Sequence, residues 1–329
     1  MRIWSASRLA EHMPMNNDGI PWLKKVSRSI RAKVLSPTRR SQPGAYQYQP
    51  ALSGISFEEA TAAIERTGRR VIRSGVDSYS PHVVDVTRRL LSDNRVPLEE
   101  YRIDADAFAR FRALAEYRAR YPRYYGAETT EKHLEHFVTL DLLRLSSKDT
   151  FIDIASEDSP VPDIFSRLTG ASTFWQDIQY EPGIHGRRIG GDACKMPIAD
   201  GFATAAALTC SLEHFEGNSD RMLCEELGRI IRPDGRVVIA PLYLYPEPVT
   251  QTDPVYSAEV DVPFDPDVPI YCAKDWGNRH GRFYSPETLR NRVLDPLSAY
   301  FECCVKFISN YSALSDHTYL RFALFCHHK

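Results

Sequence analysis

The sequence predicts an α/β protein built around a parallel sheet, and three observations carry that prediction. Between Gly191 and Leu242, apolar runs at 203–210 and 236–240 flank a segment, 219–231, whose apolar residues have helical spacing. The residues at 232–235, Arg-Pro-Asp-Gly, form a turn before the second run, because proline ends a helix and glycine accepts a positive φ. Strand, helix and strand in this order form a βαβ unit, whose two strands run parallel.

Further elements are predicted on both sides of this unit. Upstream, 150–155 is predicted as a buried strand, 161–168 as a short helix and 172–178 as a second strand. Downstream, Ser285-Pro286-Glu287 begins a helix that reaches about Val293, and 301–308 and 319–325 are predicted as an antiparallel pair of strands. The stretch 243–284 is rich in proline and aromatic residues and has few strand or helix signals, which indicates a functional insertion.

The first half of the chain is predicted to be a helical region behind a basic tail. Ser56 and Glu59 form a capping box for a helix that reaches Ser74-Gly75, with Val71 and Ile72 on its apolar face. Further helices begin at Ser80-Pro81, at Asp104 and at about residue 130. We therefore expect a tail and linker over 1–50, a helical region over 51–148 and the sheet domain over 149–329.

Length and composition favour a globular protein of a reducing compartment. A chain of 329 residues can bury a sizeable core, so one large domain with an appended region is expected. The seven cysteines are odd in number and form no CxxC pair, which favours reduced thiols. No run approaches the roughly 18 apolar residues of a membrane span, and the first residues lack a secretory signal. A cytoplasmic location is therefore expected, and the sequence leaves the oligomeric state open.

Charge is unevenly distributed along the chain. Residues 1–50 carry nine Lys or Arg against two acidic residues, whereas the whole chain has a net charge of −2. The basic segment suits a weak contact with an acidic surface, although a solvated tail is the commoner meaning of such a charge run. Because the remaining chain is acidic and phosphate contacts dominate nucleic-acid binding, we expect no nucleic acid as the main substrate.

Four short motifs resemble one known family. They are Gly191-Asp192-Ala193, the loop Met196-Pro197-Ile198-Ala199-Asp200, the strand end Leu212-Glu213-His214, and the helix end running from Glu226 to Gly235. In order and spacing they resemble the class I S-adenosylmethionine-dependent methyltransferases, in particular the group called type 11, from about Asp149 to the C-terminus. The resemblance implies a Rossmann-like seven-stranded sheet with a reversed last strand, and S-adenosylmethionine as the cofactor.

The cofactor site is expected at the carboxyl ends of the strands, where the strand order reverses. The family's glycine-rich loop here reads Asp153 to Ser159, with Ala155, Glu157 and Ser159 where glycines are expected, and Ala155 fits if its φ stays negative. Asp177 lies at the spacing of the acidic residue that binds ribose, and the resemblance places Asp192 at the adenine amine, with Ala193 near the ring. The full set of expected cofactor contacts is Asp153, Ala155, Ser156, Glu157, Asp177, Asp192, Ala193 and Cys210.

The acceptor site is expected between the fourth strand and the insertion. His214 has the titration range of a general base, and His280 is a second catalytic candidate. The insertion supplies residues that suit a lid over a small acceptor: Tyr243, Tyr245, Trp276, Arg282 and Tyr284. His133 and His136 are three apart on one helix but lack a second pair of ligands, so no metal is expected.

The predicted activity is methyl transfer to an oxygen, or less often a nitrogen, of a small molecule. The dinucleotide glycine pattern of nicotinamide-dependent oxidoreductases is absent from the first loop. The alternative is a non-catalytic protein of the same fold that serves as a partner or scaffold, and the altered glycine loop favours it.

Overall fold

The computed structural model describes residues 54–122, 130–258, 260–313 and 318–329. The basic tail predicted over 1–50 lies outside these described residues, so its predicted surface contact stays a prediction. The expected domain boundaries likewise stay predictions. Within the described part of the chain, no helix is long and apolar enough to cross a membrane.

One large sheet of nine strands forms the centre of the protein. Its strands, in chain order, are β2 (Leu98–Tyr101), β3 (Thr150–Ile154), β4 (Ser172–Asp177), β5 (Gly183–His185), β6 (Arg188–Gly190), β7 (Ala203–Thr209), β8 (Ile231–Ala240), β12 (Phe301–Ile308) and β13 (Phe322–His328). Across the sheet the order is β2-β12-β13-β8-β7-β3-β4-β6-β5. The strands β6, β4, β3, β7 and β8 are mutually parallel, and β13 runs antiparallel to both β8 and β12.

The strand order contains the predicted seven-stranded core and adds one strand at each edge. From β3 the chain moves outward to β4 and β6, then returns to the other side of β3 with β7 and β8. The order therefore reverses between β3 and β7, which is where ligands bind in open α/β sheets. The added strands are β2, parallel to β12, and β5, which forms a hairpin with β6.

Helices cover both faces of the sheet. The longer ones are α2 (Pro81–Asp93), α3 (Ala105–Ala115), α5 (Thr130–Leu143), α6 (Val161–Thr169) and α7 (Ser219–Ile230). Side chains of β7 alternate between two cores: Ala206 and Leu208 pack with residues of α2 and α7, while Ala205 and Ala207 pack with residues of α3, α5 and α6. Because β7 is buried on both faces, its sequence is a nearly continuous apolar run.

The insertion at 243–284 is ordered by a second, four-stranded sheet. Its strands are β1 (Val71–Ile72), β9 (Val249–Thr252), β10 (Ile270–Cys272) and β11 (Gly281–Phe283), in the order β1-β10-β9-β11. A short helix, α8 (Pro254–Ser257), follows β9. Few strand signals were present in this part of the sequence because strands of three or four residues are too short to show a hydrophobic period.

The N-terminal region differs from the expected set of helices in two places. Helix α1 (Phe57–Glu65) has the predicted capping box, but it ends nine residues before Ser74, and Val71 and Ile72 belong to β1 instead. Strand β2 was not predicted and extends the main sheet. Tertiary pairing with β10 and β12 thus decides the conformation of these two segments, and at Val71 and Ile72 it overrides the helical spacing of the apolar residues.

The remaining elements are short. They are α4 (Tyr117–Arg120), a 3₁₀ turn at Leu212–His214, α9 (Pro286–Leu289), a π-helical segment at Arg290–Leu294, α10 (Asp295–Leu297) and a 3₁₀ turn at Tyr311–Ala313. Helix α9 begins at Ser285, whose hydroxyl caps it as predicted.

Candidate functional site

The loop after β3 has the backbone shape of a glycine-rich loop without its glycines. Ala155 has φ of 52° and Glu157 has φ of 50°, so the expectation of a negative φ at Ala155 was wrong. Each left-handed residue other than glycine costs about 1–2 kcal/mol. The amide of Ala155 donates to Gln176 Oε1 over 3.1 Å, and the amide of Glu157 donates to Asp177 Oδ2 over 2.8 Å, which holds the strained loop in place. Such strain is typical of functional sites.

Two carboxyl groups at this loop, those of Asp153 and Glu157, form no salt bridge with any Lys or Arg among the described residues. Asp153 is fully buried, and its two carboxylate oxygens have no hydrogen-bond partner among the described residues. Burial raises the pKa of Asp153 to about 7. Burial, together with the charges of Asp177 and Asp158, raises the pKa of Glu157 to about 7. The ionised forms are therefore disfavoured until a positive group arrives, which fits the sulfonium and amino groups of the cofactor that the resemblance implies.

The two aspartates expected to bind the nucleoside both shape loops. Asp177 is buried and accepts from the amide of Gln179 through Oδ1, besides its bond to Glu157. Burial raises the pKa of Asp177. Asp192 is exposed, and its Oδ1 accepts from the amide of Cys194 over 2.8 Å, beside the buried Ala193. Both lie at the carboxyl edge of the sheet, where their ribose and adenine contacts stay predictions.

The side chains of Gln176, Glu226 and Arg229 fix the loops around the expected cofactor site, and only Gln176 was not singled out from the sequence. Gln176 is buried, and besides its bond to Ala155 it donates through Nε2 to Gly191 O over 2.7 Å, so it joins the loops after β3 and β6. Glu226 accepts from the Met196 amide over 2.6 Å, and Arg229 donates to the carbonyl oxygens of Met196 and Ile198. The family-like Glu-x-x-Arg spacing in α7 therefore serves to hold the loop that follows Asp192.

A buried polar network lies at the carboxyl end of β7. Cys210 has φ of 57°, and its Sγ lies 3.2 Å from Tyr243 Oη and 3.7 Å from Tyr319 Oη. Burial raises the pKa of Cys210 to about 12, so the thiol stays protonated. Cys210 thus presents a neutral sulfhydryl, with two tyrosine hydroxyls, to the predicted methyl-transfer side of the sheet.

Helix α5 supplies the charged members of this network. Lys132 Nζ donates to Glu135 Oε2, and Tyr319 Oη donates to Glu135 Oε1, both over 2.8 Å. Burial lowers the pKa of Lys132, but its ion pair with Glu135 raises it above its ordinary value. Burial raises the pKa of the neighbouring Glu131 to about 8. The sequence contained a signal for this network, because three charged residues lie within one turn and a half of a helix whose predicted face is apolar.

The histidines of the same helix have structural surroundings. The Nδ1 of His136 lies 2.9 Å from Tyr117 Oη, and the ring of His133 stacks on Tyr117 with 3.8 Å between centroids. In the described ranges, no group of three or more His, Cys, Asp or Glu side chains is arranged to hold a metal.

His214 and His280 are held together by backbone hydrogen bonds. His214 Nδ1 lies 2.6 Å from the His280 carbonyl oxygen, and His280 Nδ1 lies 3.1 Å from the Glu213 carbonyl oxygen. The side chain of His214 is 32% exposed, whereas His280 is 1% exposed, and burial lowers the pKa of His280 to about 3. A ligand can therefore reach the side chain of His214. His280 has a neutral, buried ring, and its backbone carbonyl oxygen orients His214.

The lid residues divide into accessible and internal side chains. Trp276 is partly exposed, and its ring centroid lies 5.9 Å from that of His214. Its indole packs closely on Gly281, where an added Cβ would lie only 2.4 Å from the nearest indole carbon. Tyr243 and Tyr245 are also partly exposed. These three side chains remain available to an acceptor.

Arg282 and Tyr284 lie inside the protein instead. Arg282 pairs with Asp265 over 2.8 Å and with Asp220 over 3.1 Å, and Tyr284 Oη donates to Asp220 over 2.9 Å. Both side chains are nearly fully buried. Because their polar atoms are engaged by internal partners, both side chains anchor the insertion, and their contact with a substrate stays a prediction. A pocket of about 210 Å³ on this side of the insertion, lined in part by Arg282, Asp265 and Val249, is separate from the residues of the predicted cofactor site.

Comparisons with known proteins give structural likenesses only. No model of a protein family matches the chain, and no curated protein matches it. Among solved structures, 470 chains match. One of them is a 1,6-didemethyltoxoflavin N1-methyltransferase of Burkholderia thailandensis, with 1,6-didemethyltoxoflavin and S-adenosylhomocysteine bound. Its sequence is 13% identical to this chain, and the match covers 71% of this chain and 93% of that one, with a TM-score of 0.42.

Two further structures are similar to the same degree. A geranyl diphosphate C-methyltransferase of Streptomyces coelicolor is 11% identical over 74% of this chain and 98% of that one, with a TM-score of 0.37. A glycopeptide N-methyltransferase with sinefungin bound is 11% identical over 62% and 94%, with a TM-score of 0.41. The fold itself is evident from the strand order and the reversed β13: the chain has a Rossmann-like α/β sheet.

Proposed function

We propose that this protein is an S-adenosylmethionine-dependent methyltransferase that acts on a small molecule. The observation that carries the proposal is the loop after β3, where Ala155 and Glu157 keep the left-handed backbone of a glycine-rich loop. Beside it lies the buried carboxylate of Asp153, which has no hydrogen-bond partner in the part of the chain that the structure describes. This loop lies at the switch point of the sheet, and the chain carries the family-like motifs at the ends of the neighbouring strands.

The cofactor residues follow from the loops around the switch point. The backbone from Asp153 to Glu157 would hold the methionine part, with Cys210 on its far side. Asp177 would bind the ribose, and Asp192 with Ala193 the adenine. When bound, S-adenosylmethionine supplies an electrophilic methyl group on a positively charged sulfur. The carboxyls around the loop favour that charge, and they gain less from the neutral thioether that remains after transfer.

The acceptor is proposed to be a small, partly apolar molecule with an oxygen or nitrogen nucleophile. The partly exposed rings of Tyr243, Tyr245 and Trp276 suit such a molecule, and the insertion that carries them excludes water from the reaction. Methyl transfer needs mainly positioning, and His214 is the accessible base if the acceptor must lose a proton. All seven cysteines are free, which suits the reducing cytoplasm where we propose the enzyme acts.

Titration calorimetry tests this proposal directly. We expect both S-adenosylmethionine and S-adenosylhomocysteine to bind the purified protein, with no heat from NAD⁺, whose binding pattern the first loop lacks. Asp153→Asn should weaken S-adenosylmethionine binding, and Asp163→Asn, which changes an exposed carboxyl on α6, is the matched control. Absence of heat and of a thermal shift with both ligands at millimolar concentration would refute the enzyme and favour the scaffold alternative.

A further inference from the structure

The turn after β7 contains a histidine whose tautomer the structure fixes. His214 Nδ1 lies 2.6 Å from the carbonyl oxygen of His280. A carbonyl oxygen can only accept a hydrogen bond, so Nδ1 carries the proton and donates. In the neutral ring, Nε2 therefore has a free lone pair. That atom faces Glu213 Oε1 at 3.5 Å, which is longer than the 2.7–2.9 Å of a charge-assisted hydrogen bond.

Glu213 is a buried carboxylate with unmet hydrogen-bonding capacity. Its side chain is 5% exposed, and Oε2 has no hydrogen-bond partner among the described residues. No Lys or Arg in the described ranges forms a salt bridge with Glu213, and the ammonium of Lys132 is paired with Glu135. Leaving a buried charged acceptor without a donor is costly, so this carboxylate indicates a ligand that brings donors.

The ligand that satisfies both groups has at least two hydrogen-bond donors. His214 Nε2 and Glu213 Oε2 are two acceptors next to each other, and an amine with two N–H bonds can serve both. A hydroxyl has one O–H and can serve only one of them. Trp276, with its ring 5.9 Å from His214, and the partly exposed Tyr243 near Cys210 add aromatic faces that favour a positive group.

We propose that the methyl acceptor is a small amine, bound as an ammonium by Glu213 and deprotonated by His214 Nε2. This inference rests on the proposed methyltransferase function and chooses nitrogen over oxygen as the acceptor atom. The ammonium gives one proton to Nε2, which leaves a lone pair on nitrogen. That pair forms the new N–C bond to the methyl group while the S–C bond breaks, and the electron pair of the broken bond stays on sulfur. The imidazolium then returns its proton to water.

The experiment compares three probes of one shape on the protein saturated with S-adenosylhomocysteine. Phenethylammonium, phenethyl alcohol and phenylacetate are titrated by calorimetry at pH 7.5. The ammonium should bind at least about tenfold more tightly than the alcohol, because its hydrogen bonds to a carboxylate are charge-assisted. Phenylacetate should bind weakest, since it faces Glu213 with a like charge.

Two variants with the same charge change separate a specific contact from a general effect. Glu213→Gln should lose about tenfold in ammonium affinity and keep its alcohol affinity. Glu216→Gln, which alters the carboxylate that pairs with Arg279 in the same loop, should retain the preference for ammonium. Binding of S-adenosylhomocysteine and the melting temperature report whether each variant is folded.

The outcomes are distinguishable. If S-adenosylhomocysteine does not bind, the proposed function fails, whatever the amines do. If it binds but the alcohol matches the ammonium, if the ammonium does not bind, or if both variants lose the preference equally, the amine inference is overturned and the methyltransferase proposal stands.

Discussion

Replacing Glu157 should raise the stability of the ligand-free protein, and the size of the gain should depend on pH. Burial and two neighbouring carboxyls raise the pKa of this side chain from 4.5 to about 7 in the folded protein. The folded state therefore keeps a proton that the unfolded chain loses between these two pH values. Stability contributed by this group falls as pH rises from about 4.5 to about 7, and the loss is complete above that range.

The magnitude follows from two separate effects at the same residue. One pKa unit corresponds to about 1.4 kcal/mol, so the charge of Glu157 destabilises the folded state by at most about 3 kcal/mol at pH 8 and by about 1 kcal/mol at pH 5. Its φ of 50° adds about 1–2 kcal/mol of strain, which a glycine at this position would not have. The greater chain entropy of glycine in the unfolded state would offset about 0.5–1 kcal/mol of that gain in stability. Glu157→Gln removes the charge alone, and Glu157→Gly removes both.

Urea unfolding at pH 5 and pH 8, without ligand, measures both effects. Glu157→Gln should be more stable than the unaltered protein at pH 8, with a smaller gain at pH 5. Glu157→Gly should exceed it by about 0.5–1 kcal/mol at both pH values. Glu225→Gln, at an exposed glutamate of α7, should change little. Equal effects of Glu157→Gln at the two pH values would refute the charge argument, and a glycine variant less stable than the glutamine variant would refute the strain argument.

Three further predictions concern the rest of the site. Asp177→Ala and Asp192→Ala should each weaken S-adenosylhomocysteine binding several-fold in calorimetry, at about 0.5–1.5 kcal/mol per hydrogen bond lost; unchanged affinity in both would place the nucleoside elsewhere. His214→Ala should lower turnover about 10²- to 10⁴-fold in steady-state kinetics while S-adenosylhomocysteine affinity is kept, and full turnover would leave positioning as the whole mechanism. Lys132→Met should reduce the free energy of unfolding by about 3–5 kcal/mol, because it leaves Glu135 buried without a cation; adding Glu135→Gln should restore much of the loss, and no restoration would mean that the two side chains are not coupled.

The parallel sheet could be predicted because its strands carry strong local signals. The buried runs of β3, β4, β7 and β8 lie where the sequence indicated them. The separate turn expected at 232–235 was wrong, because these residues belong to β8, and the positive φ there is that of Asp234, at 63°, and not that of Gly235. The short strands β1 and β2 could not be predicted, since two to four residues give no period and their conformation is decided by the distant partners β10 and β12.

The cofactor loop illustrates a different limit of sequence reasoning. In the sequence, Ala155 and Glu157 stand at positions where glycines are expected, and Ala155 was expected to fit only with a negative φ. The structure keeps the shape, because Gln176 and Asp177 at the end of β4 hold the amides of Ala155 and Glu157. A backbone conformation that one residue disfavours can thus be imposed by side chains some 20 residues away, and only the tertiary structure reveals them.

The preference for nitrogen over oxygen as the methyl acceptor also depends on a tertiary contact. In the sequence, Glu213 and His214 are one strand-end motif, and a histidine in that place is equally compatible with a base for a hydroxyl. What distinguishes nitrogen from oxygen is the direction of one hydrogen bond, from His214 Nδ1 to a carbonyl contributed by the insertion 66 residues later. That bond fixes the lone pair on Nε2 beside Glu213, whose Oε2 has no hydrogen-bond partner within the described ranges. The insertion therefore influences the choice of acceptor through a backbone carbonyl as well as through its aromatic side chains. That contact cannot be predicted from the residue types along the chain.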